Sequence, residues 1–195
     1  EIIAFFEQMP AQTPQGVLAH ARALSARGLT GPAQANLVLA WRTMPMNANS
    51  QADFLAAHAE LLKPHHDARL DAMIWQRNYD EARQMYGVAS AEAEAAAESR
   101  IAFYRRLDSA VSTYESLPAK LKITGGVNHA RFEWRARSGR DEDAKDLMLE
   151  ASKTVEGLGN PAAWGNRRRA LARDEMRNGD PARAYILAAQ HQLTE

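Results

Sequence analysis

Cysteine is absent from the 195 residues, which excludes disulfide cross-links, thiolate catalysis and Cys-ligated zinc or iron–sulfur centres. No run of eighteen apolar residues occurs, so no membrane-spanning helix is expected. Charge of one sign is also missing. The 24 basic and 24 acidic side chains cancel to a formal net charge of zero, and no nucleic-acid partner or basic membrane-binding face is expected from that balance. The segment Glu1-Ile2-Ile3-Ala4-Phe5-Phe6-Glu7 is bounded by acids and lacks the basic n-region of a signal peptide. β-Branched aliphatic residues are scarce, with 6 Val and 6 Ile against 38 Ala. Alanine is the strongest helix former and lets helix axes approach closely, so the expectation is an all-α chain of many packed helices.

Punctuation along the chain is dense. Gly or Asn closes one helix and Pro, Asp or Ser opens the next, which places helices near 16–27, 32–43, 51–62, 66–77, 79–86, 91–107, 109–116, 128–138, 141–156, 161–177 and 181–191. A shared pattern marks four helical hairpins. Ala26-Arg27-Gly28 leads through Pro32 to Ala33, and Gln76-Arg77-Asn78-Tyr79-Asp80 leads to Ala82. Arg137-Ser138-Gly139-Arg140-Asp141 leads to Ala144, and Arg177-Asn178-Gly179-Asp180-Pro181 leads to Ala184-Tyr185. In each, Gly28, Asn78, Gly139 or Gly179 is expected to take the left-handed conformation that ends a helix, an acid to open the next, and the Ala to sit where two helices cross.

Such hairpins bury little apolar surface alone and must stack, which predicts one domain over 1–195 built as a curved superhelix resembling tetratricopeptide solenoids. The spacing of Gly28, Asn78, Gly139 and Gly179 is too uneven for a strict tetratricopeptide period. Residues 118–127 break the helical spacing and read as a connecting loop. The run Ala91-Glu-Ala-Glu-Ala-Ala-Ala-Glu98 reads as an exposed helix with Glu92 and Glu94 favoured by the helix dipole.

Few side chains are spaced for chemistry. Adjacent His65 and His66 project about 100° apart on a helix, and the positions that would complete a metal site hold Arg69 and Leu70; they read as a helix start. His20, His58, His129 and His191 stand singly. Gly125-Gly126 follows no strand and is too short to cradle a phosphate. Trp41, Trp75, Trp134 and Trp164 fall on or near inward stripes, so core packing is their expected role rather than a stacking surface for sugars or peptides. Of Arg167-Arg168-Arg169, one is expected to turn inward to a carbonyl while the helix face stays solvated. No catalytic residue, cofactor-binding residue, cofactor or metal ligand is assigned.

The order of these signatures resembles the α-superhelical U-domain of the soluble lytic murein transglycosylases of Gram-negative bacteria. The resemblance spans about 40–191. It is carried first by Trp41, Phe54-Leu55, Leu61-Leu62, His66, Arg69-Leu70-Asp71-Ala72-Met73-Ile74-Trp75 and Ala82-Arg83. A second stretch comprises Pro161-Ala-Ala-Trp164-Gly-Asn-Arg167, Arg173, Gly179-Asp180, Ala184-Tyr185, Leu187-Ala188 and His191, with Ala163 standing where the family often has a second Trp. Between them, Glu98-Ser99-Arg100-Ile101-Ala102 and Arg131-Phe132-Glu133-Trp134-Arg135 look like the family's arginines at helix starts.

The resemblance implies a non-catalytic periplasmic scaffold that positions peptidoglycan glycan strands for a lysozyme-like domain following it in the parent protein. That domain cuts between N-acetylmuramic acid and N-acetylglucosamine with one glutamate followed by Ser. Glu98-Ser99 and Glu115-Ser116 match the dipeptide but lie inside the helical repeats, so no catalysis is carried onto them. The alternative is a free-standing tetratricopeptide-like adaptor for a protein or peptide partner.

Overall fold

The computed structural model describes residues 1–194, and those residues contain helices and no strand. In order the helices are α1 (Ile2–Gln8), α2 (Pro14–Ala26), α3 (Thr30–Thr43), α4 (Ala48–Leu62), α5 (His66–Trp75), α6 (Tyr79–Arg83) and α7 (Ala91–Arg105). There follow α8 (Ala110–Glu115), α9 (Ala119–Lys122), α10 (Gly125–Arg137), α11 (Asp141–Ala151), α12 (Val155–Leu158), α13 (Pro161–Arg177) and α14 (Pro181–Ala189). A 3-10 turn, Lys63–His65, joins α4 to α5. The chain divides into two compact units, Glu1–Glu94 and Ala95–Glu195.

The four expected hairpins are present, with α2 packed on α3, α5 on α6, α10 on α11 and α13 on α14. Their joints share one backbone geometry. A left-handed residue (Gly28 at φ 76°, Arg77 at 66°, Gly139 at 70°, Gly179 at 86°) ends the first helix. The next residue (Leu29, Asn78, Arg140 or Asp180) opens the second helix with φ between −83° and −110° and ψ between 57° and 77°. Its N–H reaches back to the first helix in every case, to the carbonyls of Leu24, Met73, Arg135 and Glu175. This is the pairing by which a left-handed residue satisfies the last carbonyls of a helix. Four residues further on stand Ala33, Ala82, Ala144 and Ala184, all at most 3% exposed, where any larger side chain would separate the two helices.

Two details of the expected joint differ. At the second joint Arg77, not Asn78, is left-handed, so the turn is displaced by one residue. Only Asp180 caps with its side chain, accepting the Arg183 N–H at 2.9 Å. Asp80 and Asp141 lie inside the first turns of α6 and α11 and favour those helices through the dipole.

Elsewhere the boundaries shift. Residues 118–127 hold α9 and the start of α10 rather than a loop. Gly125 is there because the turn at Gly159 lies against it: an added Cβ would come within 2.2 Å of the Gly159 nitrogen. The stretch 141–156 breaks after Ala151, where Thr154 opens α12 by accepting the Gly157 N–H at 2.9 Å. Arg100 and Arg131 lie within α7 and α10, not at helix starts. The expected exposed helix at 91–98 turns inward at Ala97.

Candidate functional site

In the first unit the residues singled out by sequence converge on Arg69. It projects from α5 with no exposed surface, against the equally buried Trp41. Its Nη1 donates to the carbonyl oxygens of Trp41 at 2.7 Å and Met44 at 3.0 Å, and its Nε to Gln51 Oε1 at 3.4 Å. Those carbonyls belong to the end of α3, whose last turn has no further N–H to accept from and carries the negative end of the dipole. The guanidinium lies 4.7 Å above the Trp41 ring, and the His66 ring meets that indole edge-on at 5.6 Å. Burial lowers the Arg69 pKa to about 10, opposed by the carboxylate of Glu81. Even there the group remains a cation at neutral pH, and it closes the helix rather than facing solvent.

The second unit repeats the device. Arg168, buried on α13 one turn after the buried Trp164, donates to the Leu187 carbonyl in the last turn of α14 at 2.7 Å. Its Nη2 donates to Ser152 Oγ at 2.6 Å, and that hydroxyl donates to the Met148 carbonyl at the end of α11. Of the triplet, Arg168 is the inward arginine with a carbonyl partner, while Arg167 and Arg169 are exposed. In the same unit the Phe132 ring packs tilted against Trp164 at 4.8 Å, and Trp164 Nε1 donates to the Leu158 carbonyl at 3.0 Å. His129 lies edge-on to Trp164, with Nδ1 2.9 Å from the Tyr104 hydroxyl.

A charged network closes the same unit. Lys145 and Glu175 form a buried ion pair, and Lys145 also reaches Glu142 at 2.8 Å. Arg183 joins Glu142 at 2.6 Å and Asp146 at 3.0 Å, linking α11 to α14. Burial alone would depress the Lys145 ammonium, but its hydrogen bonds to Glu142 and Glu175 outweigh that and raise its pKa. The hydrogen bond from Lys145, then that from Arg183, holds the Glu142 carboxyl below its usual range.

The remaining candidates scatter. Trp41 and Trp164 are fully buried as expected, whereas Trp75 and Trp134 are only half-buried. His66 begins α5 and His65 precedes it. Among the described residues no group of three or more His, Asp or Glu is placed to hold a metal. Gly125-Gly126 opens α10, with Gly126 packed beneath the guanidinium of Arg100.

Two features were not anticipated. A cavity of about 370 Å³ between α1, α2 and α3 is lined by Phe6, Val17, His20, Asn36, Leu39 and Met44 among others. The second lies in the other unit, where half-buried Tyr114 and Trp134 both meet Phe103 edge-on, at 6.0 and 5.6 Å. Arg131 lies 4.1 Å and Lys122 5.4 Å from the Tyr114 ring, and Arg140 5.5 Å from Trp134. A windowed charge count would have found this patch: residues 101–140 carry eight Lys and Arg against three Asp and Glu, an excess hidden by the zero total. Compared with family models, with curated proteins and with solved structures, the chain matches none.

Proposed function

We propose that this chain is the non-catalytic helical scaffold of a periplasmic murein lytic transglycosylase, its hairpins stacked as a curved superhelix that holds glycan strands for a lysozyme-like domain. One observation carries the reading. The apolar residues and one arginine at the centre of the resemblance are spent on architecture: Trp41, Phe54, Leu62, Arg69 and Ala82 in one unit, and Trp164, Ala184 and Leu187 in the other, are buried in or beside the four equivalent hairpins, while Arg167, Arg173, Tyr185 and His191 of the same stretches are exposed. A domain built from repeated hairpins offers an extended surface rather than a deep polar pocket. Retention on purified murein sacculi, under washing that removes an unrelated helical protein of equal charge, tests the proposal; passage of the chain with the control would contradict it.

A second reading, an adaptor for an apolar peptide segment, is favoured by the cavity beside α1, where Leu39 at 63% exposure leaves apolar surface uncovered. Selection from a random peptide library checks it: apolar sequences whose binding is lost in Leu39→Glu are expected, and charged or sequence-indifferent binding would contradict it.

A further inference from the structure

Arg131 and Arg135 stand one turn apart on α10, both half-buried, and no carboxylate of the described residues pairs with either. Like charges at this spacing repel, and the nearest acids are committed elsewhere. Glu133 pairs with Arg137 at 2.9 Å and Asp143 with Arg140 at 2.5 Å. Asp143 gives Arg135 only its backbone carbonyl, at 2.9 Å, and Lys122 likewise finds a carbonyl, that of Glu115, at 2.8 Å. For Arg131 and Lys122 the ring of Tyr114 stands where an anion is missing, while Arg140, already paired with Asp143, also lies over Trp134; the rings hold these cations while leaving donors on Arg131 unspent. Burial lowers the Arg131 pKa, opposed by Tyr114 and reinforced by the neighbouring charge of Arg135.

We infer that this patch of Lys122, Arg131, Arg135 and Arg140 around Tyr114 and Trp134 is the surface that grips a murein strand through the carboxylates of its peptide stems; the inference rests on the murein reading above. Guanidinium forks match carboxylates two oxygens at a time, and ring faces suit the apolar faces of sugars. Charge density selects the occupant. The stretch that follows, 141–160, carries six acids against two bases, which repels a densely charged duplex but tolerates a strand whose carboxylates are widely spaced.

Co-sedimentation with purified murein sacculi, with a duplex DNA oligonucleotide as the competing polyanion, tests the assignment. Arg131→Gln/Arg135→Gln is expected to weaken sedimentation roughly tenfold, the scale of losing two solvent-accessible ion pairs. Arg131→Lys/Arg135→Lys, which keeps the charge but loses the fork, should fall between the wild type and the Gln variant, and the exposed pair Arg167→Gln/Arg169→Gln should leave it unchanged. Lys122→Gln/Arg140→Gln, which removes no half-buried guanidinium, should weaken binding even if the first variant unfolds. Undiminished sedimentation of both patch variants, equal loss in the Arg167/Arg169 control, or tighter binding to duplex DNA would overturn the inference while leaving the scaffold reading in place. Failure of the unmodified chain to sediment overturns both.

Discussion

An arginine without access to solvent is held in each unit where the carbonyls at the end of a helix would otherwise face apolar side chains. Removing it leaves those oxygens buried and unpaired and opens a void beside a tryptophan. Arg69→Ala should therefore cost about 3 kcal/mol in urea unfolding, against less than about 0.5 kcal/mol for the exposed Arg167→Ala. The pair shows what sequence conveys at this scale. That one arginine of 167–169 turns inward follows from helical periodicity, but three in a row conceal which; Arg168 is chosen by its place one turn beyond Trp164. His66 adds a pH dependence. Burial lowers its pKa below the ordinary 6.5, as burial and then Arg22 lower that of His58. The unfolded chain therefore takes up these protons first, and stability should fall as pH drops from about 6.5 through the lower folded values. His66→Gln should flatten that slope in denaturant titrations between pH 7 and 5; an unaltered slope would remove His66 as its cause.

Helix joints were legible because the same local requirement recurs. A left-handed residue, a bridging residue and an alanine four positions later are each demanded by backbone geometry, so the four hairpins stand out in sequence. Where another residue replaces glycine in that role, the signal fails: Arg77 displaced the second turn by one position, and Arg106, at φ 56°, ends α7 in the same way. Arg106→Gly should stabilise the chain by about 1 kcal/mol by relieving that conformation. The opposite error befell Gly125, read as a loop residue although it begins a helix, because the turn it packs against lies 34 positions away in sequence. Gly125→Ala should cost about 2 kcal/mol or more through overlap with Gly159, whereas Gly165→Ala, with nothing within 4 Å, should gain about 0.5–1 kcal/mol from helix propensity. Thermal unfolding of the two variants in parallel separates close packing from simple flexibility.

For the molecule as a whole, composition conveyed the helical class and little else. A total charge of zero concealed a basic stretch followed by an acidic one, and the rings of Phe103, Tyr114 and Trp134 come together from α7, α8 and α10 without a common motif. No helix among the described residues is long and apolar enough to cross a membrane. The central claim is that this chain holds murein without cutting it. Incubating the purified chain with sacculi, pelleting them, and analysing the supernatant by mass spectrometry tests that directly: the account predicts protein in the pellet and no anhydro-muropeptides released, and either released anhydro-muropeptides or protein left wholly in the supernatant would contradict it.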